Sequence, residues 1–319
     1  MLRGFVCREN SLKNSKYSQF FQSICWKTRI KCVIIFENSD TKEGTPMMDF
    51  KITEFCPEHI YEKQEGVAYG TVELRTYFST TTNSERKVNV LLPAGYDPAK
   101  KYPVIYLQHG IFGDENALLY NENVNMIELI GNMMAEGLMK EAVVVFPSMY
   151  VTSDPNMKPA FDAEAVKPYD NFIFDLTADL MPFIRESYSV YDDRDHQAIG
   201  GFSLGGRQTL FVGLQRPDLF KYVGAVAPAP GVVPAKDWAM EHPGQMKVEE
   251  VTFEGRGYEP EVLLICCGTK DGSVGKFPEE YHNLFEKNGV KHRWYEITDA
   301  EHNFVAIRSF LYNYLQMIF

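Results

Sequence analysis

Two stretches near residue 80 alternate apolar and polar residues. Thr71–Phe78 and Arg86–Leu92 each follow a period of two, which predicts half-buried strands. The polar run Ser79–Ser84 between them predicts a hairpin-like connection. The pattern then changes. Pro103–Leu107, Ala142–Phe146, Tyr222–Val226 and Val262–Cys266 are short and almost wholly apolar, as strands covered on both faces of a parallel sheet are. Helical stretches fill the intervals: Val124–Ala135, Phe172–Glu186, Leu204 to about Leu214, and Glu279–Lys287 with Asn288 and Gly289 as its C-cap. A last strand, His292–Ile297, precedes a last helix, Phe304–Met317, and Pro228–Tyr258 reads as loop. This alternation predicts an α/β domain, a mainly parallel sheet with helices on both faces.

Residues 1–47 follow neither period. Their eight lysines and arginines outnumber four acids, whereas the whole chain carries a formal charge of −11. They are expected to be a poorly ordered leader, with translation starting at Met47 or Met48 and a single domain spanning 48–319. A basic docking or targeting tail is the competing expectation.

Composition narrows the partners. An acidic chain without a basic stripe repels phosphate backbones and anionic bilayers, so neither nucleic acid nor membrane is expected. No apolar run reaches the ~20 residues of a membrane-spanning helix. The six cysteines do not form a disulfide framework: Cys266 and Cys267 are adjacent in an apolar strand, and Cys7, Cys25 and Cys32 lie in the leader. No Cys/His cluster suggests structural zinc, and neither a metal nor a cofactor is expected. Reduced thiols and the absence of a signal-peptide pattern point to the cytoplasm, with secretion as the alternative. The oligomeric state is left open.

Candidate chemistry centres on Gly201-Phe202-Ser203-Leu204-Gly205, where an apolar strand runs straight into a helix. This Gly-x-Ser-x-Gly pattern matches a strained turn that lifts a serine hydroxyl above a sheet edge, the nucleophile elbow of the α/β-hydrolase plan. Gly201 and Gly205 keep side chains out of the crowded turn, and Leu204 offers a backbone N–H to a developing oxyanion. A serine needs a base. Of seven histidines, only His109 and His302 follow the C-terminal ends of predicted strands, where ligand sites of open α/β sheets collect. His302 lies between the last strand and last helix, where that plan places its histidine, and Asp271 lies after the preceding strand, where it places its acid. Asp299 and Glu301 are rival acids. The loop His109–Gly113 should supply the second oxyanion donor, from Ile111 first and Phe112 second, with His109 supporting the loop. Met149, Tyr150, Phe161, Tyr169 and Trp238 lie in loops that can reach this edge. Of the aromatic residues, Phe112, Tyr150 and Trp238 are the candidate substrate contacts.

From Tyr69 to the C-terminus the chain resembles the carbohydrate esterase family 1 or esterase D-like branch of α/β-hydrolases, especially bacterial feruloyl and acetylxylan esterases. The resemblance is carried by Tyr69–Val72, Leu92–Tyr96 with Lys101–Val104, His109–Gly113 and Tyr188–Tyr191 before Asp193 and Arg194. It continues through Gly201–Gly206, Gly268–Asp271 and Glu301–Phe304. It implies a metal-independent serine esterase with the triad Ser203, Asp271 and His302, acting on a small-molecule or oligosaccharide ester. Feruloyl or related hydroxycinnamoyl esters of plant-cell-wall carbohydrate are the expected substrates. The alternatives are an acetylxylan or other short-chain esterase, an S-formylglutathione hydrolase, a siderophore esterase, an acyltransferase, or a non-catalytic carbohydrate-binding relative.

Overall fold

A computed structural model describes residues 50–319; the expected leader, 1–47, lies outside the described residues. Among the described residues ten strands occur in order: β1 (Thr71–Ser79), β2 (Ser84–Leu92), β3 (Val104–Gln108), β4 (Val143–Pro147), β5 (Gln197–Phe202), β6 (Tyr222–Val226), β7 (Ala235–Lys236), β8 (Glu241–His242), β9 (Val262–Gly268) and β10 (Arg293–Ile297). Eight of them form one sheet in the order β1-β2-β4-β3-β5-β6-β9-β10, and β7 and β8 form a separate small hairpin. β1 and β2 pair antiparallel, as do β2 and β4. From β4 to β10 every neighbouring pair is parallel.

The burial patterns explain the pairing. β3, β4, β6 and β9 are buried along their whole length, so only interior positions with helices on both faces suit them. β1 alternates and lies at an edge. One face is covered by helices Met126–Ala135 and Phe304–Met317, which turn Leu129, Ile130, Met133, Phe310 and Tyr314 inward. The other is covered by Leu176, Leu180 and Ile184, by Leu210 and Leu214, and by Tyr281 and Phe285. Helix Leu204–Gln215 is buried on nearly every side, which an apolar sequence without a strong polar face permits.

Three stretches differ from expectation. The β7–β8 hairpin lies within Pro228–Tyr258, which reads as loop in the sequence. Ala163–Asp170 forms a helix in a stretch without clear periodicity; Asp162 caps it by accepting from the Glu164 and Ala165 amides. The helix expected over Phe172–Glu186 is interrupted by a π turn, Leu176–Leu180, before Met181–Ser187. Pro182 follows the turn and has no N–H to donate, so the regular ladder cannot run through it. Among the described residues no helix is long and apolar enough to cross a membrane.

The strand order fixes where a site can form. The chain leaves β3 for β4 on one side, then returns to β5 on the other. A crevice opens at such a reversal, beyond the C-terminal ends of β3 and β5. There the two backbones nearly touch: a Cβ on Gly205 would lie 2.5 Å from the carbonyl oxygens of both Gln108 and His109. Helix propensity alone predicts that Gly205→Ala stabilises by about 1 kcal/mol. The steric conflict is with backbone and outweighs it, so urea unfolding of Gly205→Ala should show a loss of about 2 kcal/mol or more. A stabilised variant would disprove the close approach.

Candidate active site

β5 ends at Phe202 and the elbow helix begins at Leu204, which leaves Ser203 to make the whole reversal. Its backbone sits at φ 59° and ψ −120°, a conformation costing roughly 1–3 kcal/mol for a residue with a Cβ. Hydrogen bonds offset that cost. The Ser203 amide donates to Val226 (3.0 Å), and its carbonyl accepts from Arg207 and Ala229 (both 3.0 Å). At about 1 kcal/mol each, these three bonds can hold the turn. A Cβ on Gly201 would lie 2.4 Å from the Gly205 carbonyl oxygen, so the turn closes only with glycine at both positions.

The hydroxyl projects toward His302. Its Oγ lies 2.9 Å from His302 Nε2, and His302 Nδ1 lies 2.7 Å from Asp271 Oδ2. Asp271 accepts only, so Nδ1 carries the ring proton and Nε2 is left to accept from the serine hydroxyl. The Asp271 side chain is fully buried. Its other oxygen accepts from the Ser273 and Val274 amides at 3.0 and 3.1 Å, which fixes the carboxylate toward the ring. Phe202 packs on the imidazole with ring centroids 4.4 Å apart. The rival acids turn away: Asp299 pairs with Lys270 at 2.8 Å on the surface, and Glu301 is exposed.

The loop after β3 meets the elbow from the other side, where a Cβ on Gly110 would lie 3.4 Å from Ser203 Cβ. Ile111 and Leu204 both line the cleft beside Ser203. Phe112 does not fit the donor role considered for it, because its amide donates to Tyr169 Oη at 3.1 Å. His109 braces the loop. Its Nδ1–H donates to the Gly110 carbonyl (2.6 Å) and its Nε2 accepts from the Met149 amide (3.0 Å).

The cleft has a volume of about 360 Å³. Phe161 and Trp238 line it, and Phe112 continues the row, edge-on to Phe161 at 4.9 Å, with Phe161 5.3 Å from Trp238. All three rings are strongly exposed, Trp238 by 74%. Adjoining exposed aromatic rings are the mark of a binding surface. Met149 is buried, and Tyr150 packs against buried Tyr169 at 5.0 Å; none of the three is among the residues lining the cleft. Sequence reasoning missed a second imidazole–carboxylate pair there: His242 Nε2 lies 3.0 Å from Asp237 Oδ2. Burial works against the Asp237 carboxylate, but bonds from His242 and from the Met240 and Ala239 amides prevail and hold it below its usual range. The only sequence signal was Asp237 opening a tight turn; its pairing with His242 depends on the β7–β8 hairpin.

The esterase family model, described as "Putative esterase", matches residues 79–298. The chain belongs to this esterase family. A solved relative of this esterase is a ferulic acid esterase from Anaeromyces mucronatus in complex with ferulic acid. It is 40% identical, covers 85% of this chain and 98% of its own, and superposes with a TM-score of 0.80. Two curated relatives are an endo-1,4-beta-xylanase/feruloyl esterase of Xylanibacter ruminicola, 26% identical over 53% of this chain, and endo-1,4-beta-xylanase Y of Acetivibrio thermocellus, 29% identical over 48%. The matches span 23% and 14% of those two proteins' lengths. The fold is that of the α/β-hydrolase esterases.

The brace under the loop makes a prediction. Burial pushes the His109 imidazole down from its ordinary 6.5 to about 4. The unfolded chain therefore takes up a proton that the folded esterase refuses. Stability is complete above pH 6.5 and falls as the pH drops toward 4, by up to about 1.4 kcal/mol per pH unit from this group. In urea unfolding between pH 6 and 5, His109→Gln should lose that component. Equal slopes for variant and wild type would exclude His109 as its source.

Proposed function

We propose that this esterase hydrolyses feruloyl or related hydroxycinnamoyl esters of plant-cell-wall carbohydrate through an acyl-Ser203 intermediate, residues 48–319 forming the catalytic domain. The observation that carries the chemistry is the unbroken line from Asp271 through His302 to Ser203 Oγ, opening into a cleft. The acyl preference is supported by the row of Phe112, Phe161 and Trp238 and by the 40% identical ferulic acid esterase.

In the first half-reaction Ser203 Oγ attacks the ester carbonyl while His302 Nε2 takes its proton. The carbonyl oxygen becomes an oxyanion, held by the N–H groups of Leu204 and Ile111. Such preorganised donors are often worth ~3 kcal/mol each. Collapse expels the sugar alkoxide, which leaves with the proton from His302. In the second half, water gives a proton to His302 and attacks the acyl carbon; collapse breaks the bond to Ser203 Oγ, His302 returns the proton to that oxygen, and the free acid departs. Asp271 keeps the imidazole in the tautomer that accepts from Ser203 and stabilises the imidazolium that forms. The phenolic ring of the acyl group would lie against Phe161 and Trp238.

Ser203→Ala should lower kcat/KM by about 10⁴ or more while leaving the thermal transition intact, and Asp271→Asn by about 10³–10⁴. A folded Ser203→Ala chain with full turnover would overturn the assignment. The acyl preference is tested by comparing kcat/KM on methyl ferulate, acetylated xylan, S-formylglutathione and a short p-nitrophenyl ester. Trp238→Ala should raise KM for methyl ferulate about tenfold and leave the short ester within about twofold. Equal losses on both would show that Trp238 does not read the aromatic acid.

A further inference from the structure

A cluster on the face opposite the cleft's loops has no part in the proposed reaction. His282 and Glu286 stand four residues apart on helix Phe277–Lys287, so they share one face of its last turns. After the helix the chain reverses, and His292, just before β10, comes back against that face. One ligand atom from each residue, two imidazole nitrogens and a carboxylate oxygen, lies within 4.8 Å of the others. His282 Nδ1 is 2.7 Å from His292 Nε2, and Glu286 Oε1 is 4.0 Å from that same Nε2.

The proton count is informative. His292 Nδ1 faces the Val290 carbonyl at 2.8 Å and must be its donor, which leaves Nε2 as a lone pair aimed into the cluster. The Glu286 oxygen facing it is an acceptor too. The His282 Nδ1 proton serves the buried His292 nitrogen while exposed Glu286 turns to solvent; a cation between the three groups would draw on all three lone pairs at once. An imidazole whose remote N–H is held by a backbone carbonyl is oriented as metal-ligating histidines usually are. The surroundings orient the rings: His282 stacks on Trp294 at 5.4 Å and 7°, and Phe285 meets His292 edge-on at 5.2 Å. The His292 side chain is almost wholly buried.

We infer that His282, Glu286 and His292 form a binding site for a divalent transition-metal ion of the zinc class, taking one carboxylate and two neutral imidazoles. Softer copper(I) or iron–sulfur chemistry would call for thiolates, and calcium or magnesium for more oxygens. Zinc–nitrogen bonds of about 2.0–2.1 Å at tetrahedral angles put the two nitrogens ~3.3 Å apart. The present 2.7 Å therefore opens by about 0.6 Å on binding, which half-buried His282 on an outer helix can supply. His282 moves its proton from Nδ1 to Nε2 as the ion binds, so no net proton is released from the pair. The ion is a clip, remote from the ester chemistry. It fastens the end of helix Phe277–Lys287 to the start of β10. The near end of that helix follows the Asp271 loop, and the far end of β10 leads to His302.

The test uses the full chain after dialysis against a chelator, with zinc followed by calorimetry and cobalt(II) by its visible ligand-field bands. One ion per chain should bind with a dissociation constant of about 1 µM or tighter, and cobalt should show the intense bands of a four-coordinate site. His282→Ala should weaken zinc binding by about a hundredfold and remove the cobalt bands, and exposed Glu286→Gln, which cannot unfold the core, by about tenfold. At zinc a hundredfold above its dissociation constant the thermal midpoint should rise by roughly 5 °C, and the rise should vanish in His282→Ala. Failure to saturate by about 0.1 mM zinc would overturn the site. So would equal affinity and equal cobalt bands in both variants, which would place the ion elsewhere, at His302 or on leader cysteines. Neither result bears on Ser203, whose role is read separately from turnover.

Discussion

The crowding of three backbone segments at the top of β3 and β5 sets the conditions for everything above it. Ser203 must turn within one residue, the second residue of the helix behind it must lack a side chain, and the carbonyls of Gln108 and His109 press on Gly205 from the neighbouring strand. Because the segments are in contact, the loop after β3 and the elbow cannot shift independently. The N–H of Leu204 and the loop carrying Ile111 are thus held in register by backbone packing, with the strain at Ser203 offset by its own hydrogen bonds. His109 adds a brace that works only while its ring is neutral, and its burial keeps it so.

Much of this was legible in the residues. Apolar runs such as Val262–Cys266 can only be interior strands, and the crossover helices follow from alternation with them. Gly201-x-Ser203-x-Gly205, Asp271 and His302 each fall at a strand's C-terminal end in an order that few other folds use, and the coordinates bring their side chains within hydrogen-bond distance. What stayed hidden depends on geometry that no local pattern encodes. The Phe112 amide is taken by a tyrosine 57 positions away, so spacing alone could not separate it from Ile111. Asp237 and His242 meet only because the short β7–β8 hairpin brings the strand bearing His242 back beside the loop bearing Asp237. His282 and Glu286 meet His292 only because the chain reverses at Asn288 and Gly289 between the helix and β10.

The buried polar groups divide by how they are satisfied. Asp271 lies in the interior with every oxygen engaged by an amide or an imidazole, which is the condition for keeping a carboxylate there without a cation. Cys266 and Cys267 face the opposite situation: burial pushes both thiols up, Cys267 to about 12, so they behave as small apolar side chains within β9. Neither is poised to compete with Ser203 as a nucleophile.

The cleft's aromatic wall is carried very differently from its floor. Ser203, Asp271 and His302 descend from three strands of one sheet, whereas Trp238, Asp237 and His242 sit on an excursion between β6 and β9 whose own sheet is two residues per strand. That excursion is tethered at its root, where the Ala229 amide binds the Ser203 carbonyl and Tyr281 Oη bridges Ala229 and Val232. It returns to the core at Met246, Val251 and Phe253, all buried, and Gln245 Nε2 donates to Gln208 of the elbow helix, so its exposed part is the β7–β8 hairpin with Trp238. A change in that hairpin would therefore reshape one wall of the cleft while Ser203, Asp271 and His302 keep their places at the strand ends.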